Sequence, residues 1–257
     1  AESIEISKIY SVSHLLTAKE PLIRTRPFRA PHHTVSVQAL TGGGRRPKPG
    51  EISLATGGIL FLDEFPEFSR AALETLRQPL EEREVTVSRV EASVTYPANF
   101  QLVAAMNPCP CGHFPDRSRC RCTDGQITRY LQKVSGPMLD RIDICVEASP
   151  ITYGDIRSSG NNESSREIRA RVEQARKIQG ERFAGENIRC NGEMSGRHIR
   201  KFCWLGREEE KFMEEIFKKL ALSARMHDRI LKVARTTADL AEEEKIRLAD
   251  LCEAVSY

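Results

Sequence analysis

The sequence predicts an α/β core followed by a helical region. Two short apolar runs, GILFL and FQLVAAMN, each end in polar residues and are separated by a segment with helical spacing. Such alternation is typical of a parallel sheet with helices on both faces. Beyond the core, helical periodicity continues to the C-terminus. We therefore predict a partial α/β core over residues 1–152 and a helical domain over residues 153–257.

The first part of the predicted core combines a helix, a loop-rich segment and one buried strand. Residues 1–20 have helical character, whereas residues 21–50 contain five prolines and the run TGGG, which predicts an insertion made of loops. A buried strand is expected over residues 58–62. The segment SRAALETLRQPLEE then predicts a helix that Ser69 caps.

A hairpin, two further strands and several helices complete the predicted order. Residues 84–97 alternate apolar and polar positions, which predicts a β-hairpin. The strand over residues 100–107 ends at Asn107, a cysteine-rich loop occupies residues 108–124, and RIDICVEA predicts a third strand. Beyond a linker rich in serine and asparagine, we expect three apolar helical stripes. Their members are Ile168, Val172, Ala175 and Ile178, then Phe212, Ile216, Phe217 and Leu220, and finally Ile230, Val233 or Ala234, and Ala238.

Composition and hydropathy exclude a membrane-spanning protein. The hydrophobic fraction is 40%, and no apolar run approaches the roughly 18 residues of a membrane span. The first residues do not resemble a secretory signal, so the eight cysteines favour a reducing cytoplasm. The net charge of +3 argues neither for nor against a nucleic-acid partner.

Basic residues are concentrated in the predicted insertion. Between Glu20 and Glu51 the sequence contains no acidic residue. The basic residues of this stretch are Arg24, Arg26, Arg29, His32, His33, Arg45, Arg46 and Lys48. The stretch is therefore either a solvated loop or a surface for the phosphates of DNA or of a nucleotide.

Polar residues that follow two predicted strands form a candidate nucleotide site. Asp63 and Glu64 follow the first strand, and Asn107 ends a later one. In open α/β sheets, ligands bind at the carboxyl ends of the strands. Asp63 would hold Mg²⁺ directly or through water, and Glu64 would take a proton from the attacking water. Asn107 would orient that water or bond the γ-phosphate. The alternative is that the acidic pair only stabilises the start of the following helix.

Two arginines are further candidates for phosphate contact. Arg141 precedes the third predicted strand, and Arg225 falls in the first turn of a helix that Ser223 would cap. An arginine in a first turn opposes the helix dipole, and a guanidinium fork suits phosphate oxygens. The alternative for both residues is an ion pair at the surface.

Four clustered cysteines are a candidate metal site. Cys109, Cys111, Cys120 and Cys122 form two Cys-x-Cys pairs, and four thiolates supply the tetrahedral shell that Zn²⁺ prefers. The usual spacing has two or more residues between paired cysteines. The cluster is therefore either a structural zinc site or a loop of reduced or oxidised cysteines.

Five long stretches together resemble one family. RPFRAPHHTVSVQALTGGG, GEISLATGGILFLDEFPEF, LRQPLEEREVTVSR, LVAAMNPCPCG and SGPMLDRIDICVEA are similar to AAA+ ATPases related to the magnesium chelatase ATPase subunit. Within that family they most resemble the ComM (YifB-like) branch of competence and branch-migration proteins. The resemblance covers nearly the whole chain and is weakest over residues 158–205.

The resemblance implies a role for each candidate residue. Residues 57–65 match the Walker B strand, with Asp63 for Mg²⁺ and Glu64 as the base. Asn107 matches sensor 1, Arg141 the arginine finger of a neighbouring subunit, and Arg225 the sensor 2 arginine of a helical lid. These matches imply that the chain is a partial AAA+ P-loop NTPase core followed by a lid.

The resemblance also implies contacts with DNA in the pore of a ring. Residues from about 21 to 50 match the helix-2 insertion, and residues from about 84 to 97 match the pre-sensor-1 hairpin. Such hairpins face the central pore in related ring helicases. The candidate DNA-contacting residues are Arg45, Arg46, Lys48 and Arg89.

One departure from the family pattern concerns the phosphate-binding loop. The family carries G-x-x-x-x-G-K-[ST], but no Gly-Lys dipeptide occurs in the 257 residues. TGGGRRPKPG lacks both the strand-loop-helix setting and the Lys-Ser/Thr ending. We therefore expect this chain to be a carboxyl-terminal fragment of a longer protein, with negligible ATP hydrolysis on its own.

Three functions remain open at this point. The first is the motor domain of a ring-forming, hexameric ATPase that uses Mg-ATP to move branched or single-stranded DNA. The second is the ATPase subunit of a chelatase complex that inserts Mg²⁺ into a porphyrin. The third is a fragment without catalytic activity that only binds partners or DNA. Stimulation of ATP hydrolysis by DNA distinguishes the first from the second.

Overall fold

The computed structural model contains two compact units. It describes residues 2–17, 19–44, 47–88, 93–148, 153 and 163–257. The first unit spans Ala1–Ile142 and the second Asp143–Tyr257. The predicted domain boundary after residue 152 falls in a stretch, residues 149–162, of which only Tyr153 is described.

The first unit is an α/β unit with short elements. Its helices are α1 (Glu2–Val12), α2 (Val37–Thr41), α3 (Glu51–Leu54), α4 (Arg70–Thr75), α5 (Arg77–Glu82), α6 (Asp124–Leu131) and α7 (Gly136–Leu139). Its strands are β1 (Phe28–Arg29), β2 (Gly42–Gly43), β3 (Lys48–Pro49), β4 (Ile59–Leu62), β5 (Glu84–Ser88), β6 (Ser93–Pro97) and β7 (Gln101–Ala104). A 3₁₀ turn at Phe65–Glu67 follows β4.

A three-stranded parallel sheet organises the first unit, which confirms the predicted α/β class. Its order is β1-β4-β7, so that β4 lies in the middle. Phe28 pairs with Ile59, and Leu62 pairs with Ala104. Because all three strands run in the same direction, their carboxyl ends lie at one edge of the sheet.

Apolar side chains from the sheet, α4 and the β5–β6 hairpin share one core. Leu60 and Leu62 of β4 are completely buried, whereas Ile59 and Phe61 are half-buried on alternate positions. Leu76, which also is completely buried, packs in the same cluster. The hairpin is antiparallel, as predicted, and Ser69 caps α4 by accepting a hydrogen bond from the Ala72 amide at 3.2 Å.

The predicted third strand, RIDICVEA, is not present. Residues 141–148 form no strand in the structure, and Ile144 and Val146 have exposed fractions of 50% and 78%. A strand exists only where a neighbour completes its hydrogen-bond ladder. Here the Cys145 amide instead donates to the Tyr257 carbonyl at 3.2 Å. Within the second unit, Cys145 therefore lies beside the C-terminal residue and not beside a strand.

The second unit is helical, as predicted. Its helices are α8 (Ser165–Arg182), α9 (Gly196–Phe202), α10 (Arg207–Lys219), α11 (Ala224–Leu240) and α12 (Leu248–Ser256). The third predicted stripe is correct, because Ile230, Ala234 and Ala238 of α11 are buried. Among the helices that the structure describes, none combines the length and apolar character that crossing a membrane requires.

The first two predicted stripes are only partly correct. In α8, Ala175 is buried, but Ile168 and Val172 have exposed fractions of 43% and 45%. The long-range hydrogen bonds of α8 come from its C-terminal half, where Gln179 and Arg182 bond to Asn191. Ile168 and Val172 lie in earlier turns of α8, before the part of the helix that makes these hydrogen bonds. The inner position of α10 is taken by Met213, whereas Phe217 and Leu220 are exposed.

A buried charge network ties α8 to α11. Asp239 is completely buried and accepts hydrogen bonds from Arg182, from the Asn191 amide at 2.8 Å and from Arg235 Nε at 3.1 Å. Arg235 also donates to the Glu244 carbonyl at 2.8 Å. A buried carboxylate with this many donors is fully compensated, so the network fixes the relative position of the two helices.

Removing Asp239 is expected to destabilise the second unit. Asp239→Ala leaves the buried Arg235 and the half-buried Arg182 without their carboxylate, which costs about 3–5 kcal/mol in the free energy of unfolding. Glu214→Ala is the matched control, because Glu214 pairs with Lys218 on an exposed face and contributes about 0.5 kcal/mol or less. Urea unfolding with hydrogen exchange of the α11 amides measures both. If both variants lost the same free energy of unfolding, the buried Asp239 network would not be what stabilises the second unit.

Glycine at position 58 is required by the approach of β1 to β4. A Cβ atom on Gly58 would lie 1.9 Å from the Pro27 carbonyl oxygen, which accepts a hydrogen bond from the Ile59 amide at 2.8 Å. Gly180, in α8, has no atom within 4 Å of the same built position. The two glycines therefore form a matched pair.

We expect Gly58→Ala to destabilise the first unit by about 1–3 kcal/mol, because the strands must move apart. Gly180→Ala should stabilise α8 by about 0.5–1 kcal/mol, because alanine restricts the unfolded chain and favours helix. Hydrogen exchange of the β4 and α8 amides reports each change separately. A neutral Gly58→Ala variant would show that β1 does not approach β4 this closely.

Candidate functional site

The acidic pair lies at the carboxyl end of the central strand. Asp63 and Glu64 follow Leu62 directly, and both are exposed. One Asp63 carboxylate oxygen accepts a hydrogen bond from the Glu64 amide at 2.8 Å. Exposed carboxylate oxygens at a strand end are the hard ligands that Mg²⁺ prefers. The two carboxylates could therefore hold Mg²⁺.

Asn107 lies at the same edge, as predicted. The Ala105 amide donates to the Leu62 carbonyl at 3.0 Å, and the Phe65 amide donates to the Ala105 carbonyl at 2.9 Å. These bonds continue the pairing of β4 and β7 past the last ladder residues. Asn107 follows two residues later and is exposed. The structure thus brings Asp63, Glu64 and Asn107 to one edge of the sheet.

Glu64 has an unusual backbone conformation and an unpredicted partner. Its φ and ψ angles are 52° and 44°, in the left-handed region that residues other than glycine rarely adopt. Its carboxylate lies 2.9 Å from Nδ1 of His33. The His33 ring is 4.1 Å from the His32 ring and meets Phe68 edge-on at 6.4 Å. His33 thus holds the Glu64 carboxylate from the loop that follows β1.

Sequence reasoning treated His33 only as part of a basic stretch. The signal that would have found it is the parallel pairing of β1 with β4. Since Arg29 pairs with Leu60, residues just after β1 lie beside residues just after β4. The dipeptide His32-His33 therefore had to lie near the acidic pair once the strand order was known.

Arg141 is paired within its own unit. Its guanidinium lies 2.6 Å from a carboxylate oxygen of Glu81 in α5, and it also donates to the Pro137 carbonyl. The side chain is 9% exposed. Its Nε is buried and has no hydrogen-bond partner in the described part of the chain. The arginine is therefore held against α5.

Arg225 lies where predicted on its helix. It is the second residue of α11, exposed, and follows the capping residue Ser223, which accepts from the Met226 amide at 3.2 Å. Arg225 belongs to the second unit and Asp63 to the first.

Of the four candidate DNA-contacting residues, the structure describes Lys48. Arg45, Arg46 and Arg89 lie outside the described residues. Lys48 is exposed in the antiparallel β2–β3 ribbon. The Tyr96 hydroxyl donates to the Pro47 carbonyl at 2.7 Å, so the β5–β6 hairpin contacts this ribbon.

The four clustered cysteines meet in space. Their sulfur atoms all lie within 4.8 Å of one another, an arrangement that could hold a metal ion. Cys109 and Cys120 are buried with Ile127, and Phe114 packs against them. Burial would raise the pKa of Cys109, but hydrogen bonds from the Phe114 amide and from neighbouring groups lower it to about 6. Burial raises the pKa of Cys122 to about 11.

Comparison with known families identifies the chain. A family model described as magnesium chelatase, subunit ChlI, matches residues 1–156. A second model, described as the C-terminal part of the same subunit, matches residues 162–257. The chain belongs to the magnesium chelatase subunit ChlI family. The resemblance inferred from the sequence is thereby confirmed, and the observed α/β unit and helical unit agree with an AAA+ core and lid.

Relatives place the chain in the ComM/YifB branch of the ChlI family. Competence protein ComM of Haemophilus influenzae is 48% identical over 235 residues, which is 91% of this chain and 45% of that protein. The uncharacterized protein YifB of Salmonella typhimurium is 44% identical over 258 residues, covering 100% of this chain and 50% of that protein.

A more distant relative carries the chelatase name. The magnesium-chelatase 67 kDa subunit of Heliobacterium mobile is 28% identical over 144 residues, which is 55% of this chain and 20% of that protein. The chain spans about half the length of the ComM and YifB relatives that it matches.

Proposed function

We propose that this ChlI-family chain is part of a ring-forming AAA+ motor that hydrolyses ATP to move DNA. The observation that supports this most is the meeting of Asp63, Glu64 and Asn107 at one edge of the parallel sheet. ATP and Mg²⁺ are the cofactors, a hexamer is the assembly, and the cytoplasm is the location. Branch migration of recombining DNA is the activity that the ComM resemblance favours.

Each site residue has a role in this proposal. Asp63 would hold Mg²⁺, which would neutralise charge on the phosphates. Glu64 would accept the proton of the attacking water, and Asn107 would orient that water. Arg225 would contact phosphate from the lid, and Arg141 would serve the site of a neighbouring subunit. That role requires Arg141 to exchange Glu81 for a phosphate oxygen.

The proposed DNA partner is supported by charge and by one contact. The stretch between Glu20 and Glu51 has no acidic residue of its own, although Arg26 pairs with Glu2 and Arg29 with Glu51. The bond between Tyr96 and Pro47 ties the hairpin to the ribbon, so the two elements would move together along DNA. Arg24, Arg26 and Lys48 are exposed cations of this stretch, and Lys48 lies on the ribbon itself.

A second candidate function is ATP-driven Mg²⁺ insertion into a porphyrin with partner subunits. It is favoured by the family description and by the similarity to the Heliobacterium mobile subunit. Both functions use the same ATP site and differ in the client. The response of the ATPase to DNA therefore separates them.

ATP turnover by the longer protein that contains the phosphate-binding loop tests the leading proposal. We expect branched or single-stranded DNA to raise kcat, and Glu64→Gln to lower it by about 10²–10⁴-fold, the usual contribution of a general base. The 257-residue chain alone should show no turnover, because its sequence has no Gly-Lys loop. Unchanged kcat with DNA, together with binding of a chelatase partner, would favour the second candidate.

His33→Ala tests whether the imidazole restrains the proposed base. The contact between His33 and the Glu64 carboxylate at the surface contributes up to about 1 kcal/mol, so its loss should raise DNA-free kcat by up to about fivefold and shrink the stimulation by DNA. His32→Ala is the matched control, since His32 bonds to Thr34 at 2.9 Å and not to Glu64. A fall in DNA-free kcat in His33→Ala would instead make His33 part of the productive geometry.

A further inference from the structure

Three sulfur atoms of the cysteine cluster have the spacing of a metal tetrahedron, and the fourth, of Cys122, lies within 4.8 Å of them. Cys109 Sγ lies 3.4 Å from Cys111 Sγ and 3.8 Å from Cys120 Sγ, and Cys111 Sγ lies 3.6 Å from Cys120 Sγ. Four thiolates at the zinc-sulfur distance of about 2.3 Å have edges of about 3.8 Å. A disulfide would require about 2.05 Å between two of these atoms.

We propose that Cys109, Cys111, Cys120 and Cys122 hold one structural Zn²⁺ ion and that this centre positions Asn107. A closed set of four thiolates selects zinc or iron among the common metals, and leaves no open position for substrate. The second half of the proposal rests on the proposed ATPase function, whereas the presence of the metal does not.

Donors around the cluster suit a zinc-thiolate centre. Four thiolates and Zn²⁺ together carry two negative charges, which a buried site must compensate. The Phe114 amide donates to Cys109 Sγ at 3.5 Å. The Arg117 guanidinium interacts electrostatically with Cys120 and Cys109, and it donates to the Cys122 carbonyl at 3.1 Å. Arg117 therefore lies where it offsets the charge of the centre.

The length of the connection also requires an ordering element. Residues 105–123, all described, contain no helix or strand. Connections longer than about 12–15 residues are uncommon in compact domains. The apolar contacts here are few, with Ile127 and Phe114 beside the cysteines. A bound metal supplies the stability that so small a core lacks.

Asn107 is held between the cysteine loop and α6. Gly112 has a φ of 79°, and a Cβ atom built on it would lie 3.9 Å from the side-chain amide of Asn107. The Asn107 backbone lies close enough to the Tyr130 hydroxyl of α6 to lower the pKa of Tyr130, against the larger effect of burial, which raises it. Asn107 also precedes the first metal ligand by two residues. Zinc bound to Cys109 would thus restrain the Asn107 backbone, and it would also hold the loop at Gly112 next to the Asn107 side chain.

Metal analysis of the protein purified without chelator tests the first half. We expect one zinc per chain, which the double variant Cys120→Ser/Cys122→Ser loses. Cys190→Ser/Cys252→Ser, two thiols elsewhere in the chain, is the matched control and should retain it. Arg117→Ala, which removes no ligand, should weaken zinc binding about tenfold or more. Co²⁺ in place of zinc should give the visible absorption bands of a tetrahedral thiolate site.

Other outcomes of this experiment would overturn the zinc site. Iron in place of zinc, or a protein without metal whose mass under denaturing conditions shows disulfides, would each do so. These readouts do not involve ATP, so they stand even if the proposed ATPase function fails.

Hydrogen exchange tests the second half. Removing the metal should increase exchange over residues 105–123 and at the start of α6, while the β5–β6 hairpin keeps its protection. In the ATP-hydrolysing longer protein, metal removal should lower kcat about tenfold or more with little change in KM for ATP, because orientation of water and not nucleotide binding is lost. Unchanged exchange around Asn107 would show that zinc does not position it.

Discussion

The parallel pairing of β4 with β7 is the constraint on which the candidate site depends. Four residue pairs, from Ile59 with Gln101 to Leu62 with Ala104, fix the register of the two strands. Because side chains alternate along a strand, a slip by one residue would turn the buried Leu60 and Leu62 outward. The register is therefore set by the core, and the position of Asn107 beside the acidic pair follows from it.

Elements whose signals are local could be predicted from the sequence. The β5–β6 hairpin, the cap at Ser69 and the buried face of α11 each depend on residues within a few positions of one another. The predictions of a strand at RIDICVEA and of a buried face in the N-terminal half of α8 were wrong because they depend on contacts that are not local. Their apolar residues have the right spacing, but burial requires a neighbouring element, and the described chain supplies none to Val146 or Ile168.

The candidate site shows the same division. Asp63, Glu64 and Asn107 could be predicted because acidic and amide residues follow apolar strands, and the ChlI resemblance added roles for them. The contact of His33 with Glu64 could not be predicted from the sequence, because 31 positions separate the two residues and only the strand order brings them together. The cysteines are intermediate: their spacing suggested a metal, whereas the sulfur geometry came from the fold of the loop.

Three connections meet at the edge that β4 and β7 create, and each carries one part of the proposed chemistry. The loop after β1 brings His33 to the carboxylate of Glu64. The turn after β4 holds Glu64 itself in a left-handed conformation. The loop after β7 carries Asn107 and, two residues later, the first cysteine of the cluster. The contact of His33 with Glu64 and the bond from the Phe65 amide to the Ala105 carbonyl join the three connections. A sheet edge built this way links a loop of the basic segment, a proposed base and a proposed metal centre without requiring the strands to move.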